Sequence, residues 1–189
     1  MATREQVEEL RQKMADQRAE LVAAARSLSR EDALRVPKDA EGEEQWTALE
    51  QLGHLGEMER SYDAWVKRAL HEDNPDLSTT AWQSVEIPIE EANTHTIEEM
   101  LHALAIERAY TLGIIDSIRL EDFERPSTSP VFGTLTVMQW LRSFYRHDRQ
   151  HGAQILGRKS DYQPKFKSGK EPNQRKARIE LVARRRGDS

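Results

Sequence analysis

The sequence predicts an all-α protein folded as a four-helix bundle, and three observations carry that prediction. Four segments open on a Thr followed three residues later by Glu or Gln. That is the pattern of a capping box, in which the two side chains satisfy the first orphan N–H groups of a helix. Behind each box, apolar residues recur at spacings of three and four, the period of a helix with one buried face. The segments are roughly 22–27 residues each, or about 33–40 Å of helix, and stripes of that length are buried only against one another.

The first box, Thr3-Arg4-Glu5-Gln6, leads into Val7, Leu10, Met14, Leu21, Val22, Ala25 and Leu28. It predicts a helix reaching Ser29, with Gln17 a polar break in the stripe. Ser29-Arg30-Glu31-Asp32 starts a short helical turn ending by Pro37, and Lys38 to Glu44 is a polar loop. The second box, Thr47-Ala48-Leu49-Glu50, opens a helix that buries Leu52, Leu55, Met58, Tyr62, Trp65, Val66 and Ala69 and frays near His71. Glu72 to His95 contains Asn74-Pro75 and Ile87-Pro88 and few periodic residues. The third box, Thr96-Ile97-Glu98-Glu99, precedes Leu101, Leu104, Leu112, Ile115 and Ile118. Arg125-Pro126 to Gly133 reads as turn material, and the fourth box, Thr136-Val137-Met138-Gln139, opens a helix to Gly157. The connection from the second to the third helix is about 24 residues, longer than a hairpin needs. Extended at about 3.3 Å per residue, it crosses the whole bundle. The second and third helices are therefore expected to run parallel, giving an up-down-down-up order.

Composition narrows the function classes. Of 189 residues, 37% are hydrophobic and 32% charged, which suits helices with one buried and one strongly solvated face. There is no cysteine, which excludes a disulfide framework, a thiolate zinc knuckle and a cysteine nucleophile. The first residues, MATREQVEELRQKMADQRAE, are charged and amphipathic rather than signal-like. No apolar run approaches the roughly 20 residues of a membrane span, so a cytoplasmic protein with no membrane partner is expected. Arg158 to Ser189 holds eleven Lys/Arg against four Asp/Glu, a net +7; the whole chain is −5, which leaves −12 on residues 1–157. The acidic body argues against nucleic acid as the main partner. The expected organisation is one bundle over residues 1–158 with a basic tail over 159–189. In that tail, RKARIELVARRR reads as a short helix. Arg184-Arg185-Arg186 suit phosphates, while Ile179, Leu181 and Val182 favour an extension lying against the acidic body.

The fourth helix carries the chemistry. Its buried stripe runs Val137, Trp140, Leu141 and Phe144, then changes to His147, Asp148, His151 and Ile155. The two histidines stand one turn apart on the inward face. Each is either a core imidazole satisfied by a hydrogen bond or a metal ligand, and a stacked pair favours metal. His54 lies at the margin of the second helix's stripe, where a boundary histidine is the bland account. With His147 and His151 it makes three imidazoles on two helices, the ligand number of a catalytic site that leaves a position open.

Trp46-Thr47-x-x-Glu50-x-x-x-His54-Leu55-x-x-x-Glu59 and His147-Asp148-x-x-His151-x-x-Gln154-Ile155 resemble the DinB-like (damage-inducible) superfamily, over residues 3–158. The resemblance implies a four-helix bundle with a parallel central pair and a divalent ion on His54, His147 and His151, and three imidazoles plus water suit zinc, nickel, iron or cobalt. It also implies frequent homodimers. Related branches include S-transferases that use bacillithiol or mycothiol and a mycothiol-dependent maleylpyruvate isomerase, while many members have no established reaction.

Other residues are weighed beside the triad. Asp148 either orients an imidazole or pairs with Arg142, Arg146 or Arg149. Glu59 points closer to the core than Glu57 and is the better general base, with Glu57 expected on a solvated face. Glu107 lines a cavity or pairs with Arg108 or Arg11, and Gln154 orients His151 or caps a polar patch. Met58, Trp65 and Trp140 read first as core; His71, His95 and His102 receive no site role. There is no His-Glu-x-x-His, no Gly-rich phosphate loop and no Ser/His/Asp set. The expected function is a divalent-metal enzyme acting on a small-molecule substrate, and the family resemblance tips it toward a thiol S-transferase whose low-molecular-weight thiol arrives as cosubstrate. The alternatives are a metal-dependent hydrolase, or a non-catalytic stress-response or binding module with a structural metal.

Overall fold

The computed structural model describes residues 1–36, 45–81 and 83–169. Its helices are α1 (Arg4–Arg26), α2 (Arg30–Ala33), α3 (Ala48–His71), α4 (Ile97–Ser117) and α5 (Val137–Ile155). All four capping boxes form with both arms: Thr3 with Gln6, Thr47 with Glu50, Thr96 with Glu99 and Thr136 with Gln139. The expected turn at Ser29 is α2, which Ser29 caps through the Asp32 N–H. α1 stops at Arg26 rather than Ser29, because Ser27 closes its last turn by hydrogen bonding back to the Ala23 and Ala24 carbonyls. The polar loop at Lys38 to Glu44 and the helix expected in RKARIELVARRR lie outside the described residues.

Helix directions follow from which residues meet. Arg11 pairs with Asp116, Arg18 reaches the Leu104 carbonyl and Arg26 pairs with Glu98, so α1 and α4 are antiparallel. Gln51 meets His151 and Tyr62 meets Trp140, so α3 and α5 are antiparallel too. Along α3 and α4 the numbers rise together: Gly56 faces Leu104, Arg60 pairs with Glu107 and Lys67 bonds Tyr110. α3 and α4 are parallel, as the long crossover predicts. α1 and α5 are likewise parallel, with Leu10 and Lys13 beside Arg142 and Tyr145, and Leu21 against Gly152. The order is up-down-down-up.

The crossover is held to α3 along its length. Arg68 gathers the Asp76 carbonyl with the Thr79 and Thr80 hydroxyls, and Arg125 binds the carbonyls of Ala69 and Glu72. Further on, the Ile89 N–H donates to Glu57 Oε1 at 3.0 Å, and the Thr47 hydroxyl donates to Asn93 Oδ1 at 2.7 Å. Glu57 is thus buried, 2% exposed, not on the solvated face expected of it. Helical angle alone does not reveal that the returning chain covers that face.

The segment read as turn material is a β-hairpin. β1 (Pro126–Ser129) pairs antiparallel with β2 (Gly133–Thr136), Ser127 opposite Leu135, and Gly133 adopts φ 79° in the turn. Its strands are short and rich in Ser and Thr, so no apolar alternation announced them. Trp140 Nε1 donates to the buried Ser127 Oγ at 2.8 Å, which fastens the hairpin to α5.

The apolar core falls into two parts. One, near the hairpin, holds Leu10, Met14, Tyr62, Val66, Phe123, Trp140 and Phe144. The other holds Leu21, Ala25, Leu49, Leu52, Met100 and Leu104. On every long helix the residue numbers leave a gap between the two, and buried Glu59, Arg108, Thr111 and Asp148 occupy it together with the partly buried Arg18. No described helix is long and apolar enough to cross a membrane.

Candidate metal centre and its cleft

α3 and α5 run antiparallel, so His54 and the His147–His151 pair arrive at the same height. Each of the three offers a ring nitrogen, and these nitrogens all lie within 4.8 Å of one another. His147 Nε2 and His151 Nε2 are 3.0 Å apart. Ligand nitrogens about 2.0–2.1 Å from a tetrahedral ion sit roughly 3.3 Å from each other, so the set fits one ion with small ring rotations. The rings stand steeply to one another, His54 to His147 at 83° and His147 to His151 at 69°.

Gln51 fixes the orientation of His151. Its Nε2 donates to the Trp46 carbonyl at 3.4 Å, leaving Oε1 to accept from His151 Nδ1 at 3.1 Å. With the proton on Nδ1, the Nε2 lone pair faces the other imidazoles. Sequence reasoning weighed Gln154 as either an orienting residue or a cap on a polar patch, and missed Gln51. The available signal was a Gln three residues before His54, on a helix face otherwise filled by Ala48, Leu52 and Leu55. Trp46 packs its ring 4.6 Å from His54 and closes that side.

His54 and His147 open on a cleft of about 570 Å³, within the usual range for a small-molecule site, with His151 buried behind them. α3 contributes His54, Met58 and Tyr62, and the hairpin contributes Phe132 and Leu135. α5 presents Gln139, Ser143, Arg146, His147 and Gln150, a second stripe at helical spacing beside the buried one. The remaining wall is Asp161 to Phe166, from the stretch assigned to the basic tail rather than to the bundle. It is fastened by an Arg149–Asp161 ion pair, a Lys167 N–H to Val131 carbonyl bond of 2.8 Å, and Phe166 packed 5.5 Å from Phe132. Trp65 and Trp140 are core, as read, while Met58 lines the cleft.

A profile of the DinB superfamily matches residues 13–155. The chain belongs to the DinB superfamily. Among curated proteins, this DinB-superfamily chain is 28% identical to the uncharacterized protein YuaE of Bacillus subtilis (strain 168), over 59% of this chain and 76% of that one. Among solved structures it is similar to YfiT from Bacillus subtilis, with a TM-score of 0.64 and 19% identity, covering 83% of this chain and 87% of the other. YfiT is described as a probable metal-dependent hydrolase with an unusual four-helix bundle topology. At that identity the likeness is one of fold.

Glu59, read as the better general base, and Asp148, read as orienting an imidazole or ion-pairing, both lie in ion pairs and do not line the cleft. Glu59 accepts from Arg18 Nη2 and Arg108 Nε, both at 2.6 Å, and from the Thr111 hydroxyl at 3.0 Å. Asp148 accepts from Arg108 at 2.9 Å and from Arg18 at 3.1 Å, not from Arg142, Arg146 or Arg149. The two guanidiniums also reach backbone, Arg18 to the Leu104 carbonyl and Arg108 to the Met14 carbonyl. Burial alone would push the Glu59 carboxyl up, but Arg18 and Arg108 override it and hold it below its ordinary value. Among the described residues, neighbouring Asp63 has no guanidinium hydrogen bond; burial first, then the Glu59 anion, push its carboxyl up to about 8. Glu107 pairs with Arg60 rather than with Arg108 or Arg11. His71 and His102 are exposed, and His95 faces Glu99 at a helix start.

Proposed function

We propose that this DinB-superfamily chain is a metal-dependent enzyme that joins a low-molecular-weight thiol to a small-molecule substrate in the cleft. Under this reading His54, His147 and His151 hold one divalent ion, and three imidazoles suit zinc, nickel or iron. Such an ion supplies Lewis acidity, lowering the pKa of a thiol or water and polarising an electrophile. The chain's own residues do the rest. Gln51 keeps the His151 lone pair inward, Trp46 and Met58 keep the approach partly dry, and the cleft holds the reactants side by side. Glu59 and Asp148 support the site by fixing the heights of α3 and α5 through Arg18 and Arg108.

The observation that carries the thiol reading is the charge inventory of the cleft. Among its described lining residues, Asp161 is the carboxylate, and it is engaged by Arg149. A site without an uncommitted carboxylate base favours a nucleophile that gives up its proton readily, and a thiol does so far more easily than water. The chain has no cysteine, so that thiol comes from outside. A cytoplasmic setting, where small thiols stay reduced, and a homodimer belong to the same proposal. The hydrolase reading is supported by the description of YfiT. An open cleft beside the triad speaks against a purely structural metal.

Two measurements test this. Purified protein is expected to hold one metal per chain, and a His147→Ala/His151→Ala variant to lose it; equal content in both sinks the metal assignment. In the cobalt-substituted protein, adding a small thiol is expected to change the visible absorption. Bands unmoved by any common thiol leave the hydrolase.

A further inference from the structure

Building on the metal-enzyme reading, we propose that the cleft selects an organic anion, its acidic group held by Arg146 and its apolar body held between the hairpin and the Asp161–Phe166 strap. The strap is thereby part of the substrate site rather than an appendage.

Five observations support this. Arg146 lines the cleft one residue before His147, and among the described residues it makes no ion pair with a carboxylate. Its guanidinium carbon lies 5.8 Å from the ring centres of both Tyr145 and Tyr162 and it also hydrogen-bonds the Tyr162 phenol, so its position is set by two aromatic residues and its remaining donors are left for a ligand. The Tyr162 phenol is pushed up by burial, only partly offset by Arg146, so it stays protonated at neutral pH and is a second donor for an anion. Opposite the polar stripe, Phe132 and Phe166 pack ring to ring, and Leu135 and Pro164 also line the cleft, an apolar surface suited to a hydrocarbon or aromatic body. The strap's Lys165 adds positive charge, while its Asp161 is neutralised by Arg149. A planar guanidinium beside aromatic rings is the usual device for a carboxylate or phosphate, and its five donors reward anions over neutral isosteres.

The test is calorimetric binding to the zinc-loaded full chain, using 4-phenylbutyrate and its neutral isostere 4-phenylbutyramide. The carboxylate is expected to bind about tenfold or more tightly than the amide, the range of one charge-assisted hydrogen-bonded contact. Arg146→Gln should abolish that preference, Arg146→Lys should restore part of it, and Phe166→Ala should weaken both ligands alike. Arg142→Gln, on a neighbouring groove that Arg146 also borders but outside the cleft itself, should change neither. Equal binding of the two ligands to the wild type overturns the proposal, as does a preference that survives Arg146→Gln or no binding of either at millimolar concentration. Metal content measured on the same samples separates the two readings. Sub-stoichiometric zinc in the wild type refutes the metal centre; full zinc with an Arg146-independent preference refutes only the anion site.

Discussion

Replacing Gln51 by Leu removes the acceptor from His151 Nδ1 while keeping the side chain's bulk. Metal affinity, measured by chelator competition, is expected to fall 10–100-fold with little change in the unfolding midpoint. Unchanged affinity would mean that packing alone holds the ring. Asp63 gives a second test at this scale. Its folded value of about 8 stands far above the ordinary 3.8, so between those limits the native state binds a proton the unfolded chain has released. Its contribution is intact below about pH 4 and is lost as pH rises through about 8. Asp63→Asn should therefore flatten the fall in stability over that window and stabilise the protein at pH 8, read from urea midpoints against pH. Matching wild-type and variant curves would refute the burial of this proton. The imidazoles were legible because two histidines four apart break an apolar stripe. Gln51 and Arg146 were not, since a polar residue on a helix declares its face only when its neighbour is known.

At the scale of elements, the four capping boxes could be read directly, because a cap is local and needs no partner from elsewhere. The hairpin and the course of the crossover were hidden for the opposite reason: both are defined by what they pair with. Gly53 shows how tightly the crossover is laid. A Cβ built there would sit 3.1 Å from the Ile89 Cα, which is backbone and has little room to give. Gly53→Ala is expected to lower stability by about 1–3 kcal/mol in denaturant unfolding despite the better helix propensity of Ala. Thr47→Ala loses a cap together with the tie to Asn93, and should cost about 1–2 kcal/mol, more than Thr136→Ala. A stabilised Gly53→Ala would show that the crossover lies further from α3 than described.

For the molecule as a whole, the parallel α3–α4 pair was predictable from connection length, whereas the charged layer dividing the core was not. Arg18 and Arg108 sit among many exposed arginines, and nothing in their spacing marks them as buried. Arg108→Leu leaves Glu59 and Asp148 to share Arg18, and an uncompensated buried carboxylate is expected to cost about 3–5 kcal/mol, seen as a lower thermal midpoint. A change under 1 kcal/mol would mean that water reaches the layer. Arg18, Glu59, Arg108 and Asp148 come one from each long helix, so the layer works as a key in a keyway. A slide of any helix by one turn, about 5.4 Å, withdraws its charge from the others. α5 carries His147 and His151 on either side of Asp148, and α3 carries both His54 and Glu59. The height at which the three imidazoles meet is thus inherited from ion pairs elsewhere in the bundle. The oily residues above and below can drift in sequence without carrying the histidines out of register.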